Sequence, residues 1–341
     1  MDDKSVFTDN LTRNEAEARD GAVRLGSKPL MLLVMPSTRC NLKCIMCPKT
    51  DNDTTLPLNI LEKIYPLYPY LELINWGGGG EIFCLDYFKE VFIKTMVHPN
   101  IKQSITTNGL LINKEWAELL VKSNVHLTYS IDSVVPGTYE YIRKGAGFGD
   151  LLKSLALINA GRTAGVPENF SMTLNVVVMR SNCRELHLFP KFCKDNGFAS
   201  LRLEYQRPVV NFAEDIFTKN ADPVAMSYIS NAMSAIEKEC EALGIRFDSC
   251  IGPFINGKTD SLVRSGELVS KCRLPWKKLL IDAGAGGRIM PDCLCRQPIG
   301  NIYEDDLEQL WNNGVMRRYR ENIINNKARG WCSDACLTYE R

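Results

Sequence analysis

Between Pro29 and Gln206 short apolar runs alternate with helix-length amphipathic stretches, and this alternation limits the fold more than any other feature. The strand candidates are Leu30–Met35, Leu71–Trp76, Gln103–Thr107, His126–Ile131, Ser171–Met179 and Ser200–Tyr205. Each is short, rich in branched or aromatic residues and bounded by polar or turn residues. The stretches Asn59–Tyr68, Tyr87–Val97, Lys114–Lys122, Phe148–Ala160 and Cys183–Asn196 fall between them with helical spacing. Strands that alternate with helices imply parallel crossovers of fixed hand. Six such units close most of a barrel. The expected class is therefore α/β, a partial (β/α)6 TIM-like barrel, with functional residues at the C-terminal ends of the strands.

The pattern breaks around Pro208 to Pro223, a helix is expected at about Ala225–Leu243, and the character changes again from about Phe247. Gly, Pro and Cys become frequent there, and Ala283-Gly-Ala-Gly-Gly287 is a turn signal. The division expected is an N-terminal extension over 1–28, a barrel over 29–245 and a loop-rich domain over 246–341. The chain has 341 residues, 45% apolar and 24% charged, which excludes disordered and collagen-like classes. A net charge of +1 gives no electrostatic case for nucleic acid or an anionic membrane. The first 26 residues lack the charged-then-apolar order of a signal peptide, and no apolar run is long enough to span a bilayer. A soluble cytoplasmic protein is expected, without nucleic-acid or membrane partners.

Thirteen cysteines are unusual for such a chain. Clustered cysteines in a cytosolic setting bind metal or do chemistry more often than they form disulfides. The segment after the first strand reads Arg39-Cys40-Asn-Leu-Lys-Cys44-Ile-Met-Cys47-Pro48. Three thiolates on one loop can hold three irons of a [4Fe–4S] cube and leave the fourth open for a ligand. Structural zinc wants four ligands, and no further Cys or His lies close by to complete a set.

The C-x3-C-x2-C spacing, its place after the first strand and the six β/α units resemble the radical S-adenosylmethionine (SAM) superfamily. Asn75-Trp-Gly-Gly-Gly79-Gly80-Glu81 resembles that family's Gly-Gly-Glu motif, and Thr106-Thr-Asn108-Gly109 its T-N-G turn. The resemblance implies that Cys40, Cys44 and Cys47 ligate the cluster. It also implies that Gly79, Gly80 and Glu81 hold the methionine amino group of SAM. Asn108 lies in the T-N-G turn, Ser130 and Arg143 are implied to contact the ribose or carboxylate, and Asn175 to face the cofactor.

The C-terminal region from Cys272 to Cys336 resembles the SPASM/Twitch extension of the same enzymes, which carries one or two auxiliary [4Fe–4S] clusters. Five cysteines there supply one set of four and leave one over. One auxiliary cluster is expected, on Cys272, Cys293, Cys332 and Cys336, with Cys295 in reserve. Zinc would accept the same thiolates. Similar proteins often place the second ligand directly after a Pro, whereas Pro291 is followed by Asp292.

The resemblance implies reductive cleavage of SAM to a 5′-deoxyadenosyl radical, hydrogen abstraction from the substrate, and an external flavodoxin- or ferredoxin-like electron donor. One fully ligated auxiliary cluster favours net oxidation. Glu204 is the expected base, and Arg202 or Arg207 the holder of an anionic group. A small polyol, aminocyclitol or sugar-like substrate is expected, since only 29 residues precede the first strand, too few for a peptide-recognition domain. The alternatives are a peptide-modifying maturase that installs a crosslink or oxidises Ser or Cys, and an epimerase with Cys250 or Cys84 as hydrogen donor. Outside enzymes, an iron–sulfur electron carrier or a zinc-binding module would use the same cysteines.

Overall fold

The computed structural model describes residues 3–48, 53–162, 169–206, 210–218, 220–255, 272–328 and 330–333. Two compact units are interleaved along the chain. One comprises Met1–Arg39, Asn52–Ser104 and Asp260–Arg341, and the other Cys40–Asp51 and Ile105–Thr259.

The first unit begins with helix α1 (Asp3–Arg19) and strand β1 (Met31–Met35). Then follow α2 (Leu58–Leu61), strand β2 (Leu73–Trp76) and helix α3 (Phe88–Met96). Strand β3 (Lys102–Thr107) has residues in both units. The second unit contains α4 (Lys114–Val121), β4 (Val125–Ser130), α5 (Pro136–Ile142), α6 (Phe148–Arg162) and β5 (Ser171–Val178). It continues with α7 (Phe189–Asp195), β6 (Ser200–Tyr205), α8 (Pro223–Leu243), β7 (Arg246–Ser249) and α9 (Gly252–Ile255). The chain then returns to the first unit with α10 (Leu274–Lys277), β8 (Lys278–Asp282), β9 (Arg288–Met290) and β10 (Gly300–Asn301). Helices α11 (Leu307–Leu310) and α12 (Gly314–Ile324) complete it.

All six strands expected between Pro29 and Gln206 are present, each within two residues of the expected bounds. In the second unit β4, β5, β6 and β7 are parallel neighbours. In the first unit β1 is flanked by parallel β2 and β8. The strands alternate as a two-faced sheet requires. Val125, Leu127 and Tyr129 of β4 are buried, while His126, Thr128 and Ser130 are less so. Leu201 and Leu203 of β6 are buried and Arg202 is exposed.

Several elements differ from expectation for local reasons. The helix expected at Asn59–Tyr68 is one α-turn followed by a 3-10 stretch over Glu62–Tyr70, because Pro66 and Pro69 lack the amide an α-helix needs. The helix expected from Cys183 starts as a 3-10 turn at Leu186–Leu188, and α7 opens only where Pro190 fits its first turn. Helix α8 starts at Pro223, because the Asp222 carboxylate accepts from the Val224 and Ala225 amides, and ends where Gly244 takes φ +70. From residue 278 the chain adds β8 beside β1, in register Met31↔Lys278 to Met35↔Asp282, and folds back through the glycine-rich turn into β9.

Helix α1 was not foreseen, because polar side chains fasten it. Asn10 Oδ1 accepts from Lys28 N at 2.7 Å, Asn14 Nδ2 donates to the Trp276 carbonyl at 2.6 Å, and Glu17 accepts from Gly26 N at 2.6 Å. Arg320 of α12 does similar work from the other end of the unit. It is fully buried and donates to the carbonyls of Pro275, Val23 and Trp311 at 2.8–3.0 Å, with its guanidinium 4.8 Å from the Trp311 ring centroid.

Arg320→Met should therefore cost about 3 kcal/mol, because three buried carbonyls lose a charged donor. Arg320→Lys should recover only part of this, since an ammonium cannot reproduce the planar fork. Chemical denaturation of the three proteins checks the order.

Candidate active site

The cysteine loop is held in the second unit by backbone bonds. Lys43 N donates to the Lys144 carbonyl and Ile45 N to that of Ile142, both at 2.9 Å. Cys47 N donates to the Cys44 carbonyl at 3.1 Å, which closes the turn between the last two cysteines. Leu42 is buried and anchors the first half. The three thiols are thus spread around one loop, with Cys40 and Cys44 half-buried and Cys47 exposed.

Two residues expected at the cofactor reach this loop. Asn108 Nδ2 donates to Asn41 Oδ1 at 2.8 Å and lies 4.0 Å from Cys40 Sγ. Arg143 Nη1 lies 3.9 Å from Cys44 Sγ, within donor range of a sulfur. Its Nη2 is 2.7 Å from Asp132 Oδ2, and both side chains are buried. Asp132 Oδ1 also accepts from Val177 N at 2.9 Å. Burial pushes the Cys44 thiol up to about 11, against the pull of the Arg143 guanidinium. Asp132 was not singled out from sequence, though it closes the Ser130-Ile-Asp132 run. The signal is that run followed by Arg143.

Ser130 and Asn175 are brought side by side. They are register partners across β4 and β5, Asn175 pairs with Arg202, and Arg202 pairs with Asp248. One row of polar positions therefore crosses four strands. Arg202 bonds Asp248 at 2.8 and 2.9 Å and lies 3.8 Å from Glu204 Oε1. Cys250 N donates to the Leu203 carbonyl at 2.9 Å, and its thiol is within electrostatic reach of Arg202. Glu204 and Cys250 are thus neighbours at the ends of adjacent strands. Arg207 lies outside the described residues.

In the first unit, the glycine run packs on the residues that lead into Cys40. Glu81 N donates to the Arg39 carbonyl at 2.8 Å, and Glu81 is 2% exposed. A Cβ on Gly80 would meet the Arg39 carbonyl oxygen at 2.2 Å, and one on Gly79 the Ser37 oxygen at 2.8 Å. Glycine is required here by contact with backbone.

The C-terminal cysteines also lie in this unit. Cys295 and Cys332 face one another across an antiparallel bridge, flanked by Arg296 N to the Trp331 carbonyl and Ser333 N to the Leu294 carbonyl, both 2.8 Å. Pairs so flanked are the closely spaced kind. Cys293 is exposed, with Sγ 3.3 Å from Asp292 Oδ1. Cys272 is half-buried before α10, and Cys336 lies outside the described residues. Cys183, Cys193 and Cys240 are buried.

Among the described residues, no three His, Cys, Asp or Glu side chains converge on one ion position. A mononuclear metal needs such convergence, whereas a cube takes one thiolate per iron corner. Three thiols on one loop suit the cube, each able to take one iron corner.

Residues 34–183 match the model of the Radical SAM superfamily. The cofactors are accordingly SAM and a [4Fe–4S] cluster. The chain is 23% identical over 336 residues to the cysteine-type anaerobic sulfatase-maturating enzyme of Clostridium novyi (strain NT), across 88% of this chain and 83% of that protein. To GTP 3′,8-cyclase of Listeria welshimeri it is 25% identical over 232 residues, 65% of each chain. The fold is similar to Streptococcus suis SuiB bound to the precursor peptide SuiA (TM-score 0.67, 19% identity, 97% of this chain and 75% of that one). It is also similar to anSMEcpe with bound AdoMet (TM-score 0.61, 18% identity, 90% of each). The α/β class expected from the sequence, a partial TIM-like barrel, is the fold of these enzymes. Among the described residues no helix is long and apolar enough to cross a membrane.

Gly80→Ala should cost about 1–3 kcal/mol, because the new methyl overlaps backbone, and should lower iron uptake at Cys40, which follows the displaced segment. Gly137→Ala, with nothing within 4 Å of the added carbon, should stay within about 0.5 kcal/mol of the parent. Denaturation midpoints and iron per chain after anaerobic reconstitution separate the two.

Proposed function

We propose that this radical SAM enzyme modifies a peptide, by a crosslink or by oxidation of a Ser or Cys side chain. The observation that carries this reading is the match to a sulfatase-maturating enzyme over most of both chains. The relatives described above do not support the small polyol or sugar-like substrate expected from the sequence. The likeness to SuiB, solved with a precursor peptide, points the same way at the level of fold.

In this reading Cys40, Cys44 and Cys47 hold the catalytic cluster, and Gly79, Gly80 and Glu81 hold the amino group of SAM. Bound together, the two supply hydrogen-atom abstraction from an unactivated C–H bond. Asp132 fixes Arg143 under Cys44 and so keeps the loop in place. Ser130 and Asn175 line the cofactor side of the sheet. Glu204 takes a proton from the substrate, and Arg202, held by Asp248, lies beside it. Cys250, beside Glu204, is the hydrogen donor if the outcome is redox-neutral.

For the auxiliary cluster we assign Cys272, Cys295, Cys332 and Cys336. Cys295 replaces Cys293 because it faces Cys332, while Cys293 is turned out toward Asp292.

Anaerobic reconstitution should give about eight irons per chain, falling to about four in the Cys40/Cys44/Cys47 triple Ala variant. Cys44→Ala should release no 5′-deoxyadenosine. Cys332→Ala and Cys295→Ala should still release it but yield no oxidised peptide, and Cys293→Ala should behave as the parent. Release stimulated by Ser- or Cys-containing peptides and not by polyols supports the peptide reading. The reverse pattern restores the small-molecule reading.

A further inference from the structure

Cys295 and Cys332 lie opposite one another in an antiparallel bridge, although the chain between them is long enough to form two helices. Their own amides turn away from the bridge. Cys295 N donates to the Asp292 carbonyl at 3.0 Å and Cys332 N to the Ala328 carbonyl at 3.1 Å, so each thiol ends a closed turn. The residues on either side carry the bonds between the two segments, Arg296 N to the Trp331 carbonyl and Ser333 N to the Leu294 carbonyl. An opposed pair flanked in this way brings its Cα atoms to about 4.5 Å, with both side chains on one face. A disulfide spans Cα separations of about 4.4–6.8 Å.

Tyr319 clamps the same two segments. It is fully buried, and its hydroxyl accepts from Gln297 N at 2.6 Å and donates to the Gln297 carbonyl at 2.9 Å, with the Trp331 carbonyl at 3.4 Å. Its ring meets that of Trp331 edge-on, the centroids 4.8 Å apart. None of these contacts uses a thiol. The two cysteines are therefore brought together by the fold itself, one half-buried and one buried.

We propose that Cys295 and Cys332 form a disulfide with each other when they hold no metal, which makes the bridge a redox-controlled modification site that competes with the auxiliary cluster. A small disulfide is the oxidant. The half-buried Cys295, as thiolate, displaces one small thiol from it and forms a mixed disulfide. The adjacent Cys332 sulfur then attacks that of Cys295 and displaces the second. Two cysteine thiols are oxidised, one small disulfide is reduced to two thiols, and those thiols carry away the two protons. The pairing rests on the bridge alone, and its competition with metal rests on the cluster ligands assigned above.

The test uses the full-length chain, purified under reducing conditions without iron, then incubated with oxidised glutathione, blocked with iodoacetamide and digested with trypsin. Mass spectrometry should find peptide 289–296, which carries Cys293 and Cys295, joined to peptide 330–341, which carries Cys332 and Cys336, and reduction should separate them. The join should persist in the Cys293→Ala/Cys336→Ala double variant, where Cys295 and Cys332 are the only cysteines on the two peptides. Alkylation of both Cys295 and Cys332 in the oxidised parent overturns the proposal, and so does loss of the join in the double variant. If the double variant does not fold, fragmentation of the parent's joined peptides identifies the bonded residues and decides. A join formed as often in denaturant as in buffer also overturns the proposal, since the bridge would then play no part. The chain reconstituted to about eight irons should resist joining, and undiminished joining at that iron content overturns the competition. A chain that reconstitutes to only about four irons and joins as before refutes the auxiliary cluster and supports the disulfide.

Discussion

The buried pair of Asp132 and Arg143 is the contact on which the second unit's site depends. Asp132 is a single residue with four structural duties. Its Oδ1 takes the amide of Val177, its Oδ2 faces Arg143, and its carbonyl accepts from Asn182 Nδ2 at 2.7 Å. Through Arg143 it reaches Cys44. The end of β4, the end of β5, the turn after β5 and the cysteine loop are therefore tied to one residue. A charge pair taken out of water gains little net stability, because desolvation consumes most of the attraction. What it provides is a fixed geometry, since neither partner can leave without stranding the other. A loop in which Leu42 is the one buried apolar side chain among the described residues needs such a restraint more than it needs extra burial.

The sheet of the second unit separates stability from chemistry by face. Apolar residues such as Leu127, Leu174 and Leu203 are buried on one side. The other side carries Ser130, Asn175, Arg202 and Asp248 in one row, with Glu204 and Cys250 beyond it. A period of two makes this division automatic, because changing a residue on one face leaves the other face's packing alone. Lower on the same face, His126, Ser171, Thr173 and Ser200 bond one another at 2.6–3.0 Å. That ladder satisfies its own donors and acceptors. The upper row does not close in the same way, and there the candidate catalytic groups lie.

What could be read from the sequence is what is local. The C-x3-C-x2-C loop, the glycine run before Glu81 and the six strands are short-range patterns, and the structure contains each of them. The proposed choice of Cys295 over Cys293 is not local. It depends on which of two residues, one to either side of Leu294, faces Cys332 across a bridge between segments far apart in the chain. Helix α1 escaped notice because Asn10, Asn14 and Glu17 attach it through bonds to distant backbone, and hydropathy does not register that kind of attachment. The 3-10 stretch over Glu62–Tyr70 has the apolar spacing of a helix, but its prolines select the tighter winding. Arg143 was expected to meet the cofactor, and a charge count gives no sign of Asp132, since only the fold makes them neighbours.

The glycine run fixes, through the backbone, the residues that lead into the cysteine loop. Gly80 approaches Thr38 and Arg39 so closely that no side chain fits, and the Glu81 amide donates to the Arg39 carbonyl. The next residue is Cys40. The three residues before the first thiol are thus fixed by the glycines, and those after it by Leu42 burial and the bonds to Ile142 and Lys144. Neither anchor uses a thiol. These contacts order the residues on either side of the first thiol as part of the fold, so the entropy of ordering them is spent in folding. This matters for a half-buried thiol such as Cys44, which must give up its proton to bind metal. Flanking residues already in place let the metal's affinity go to that step.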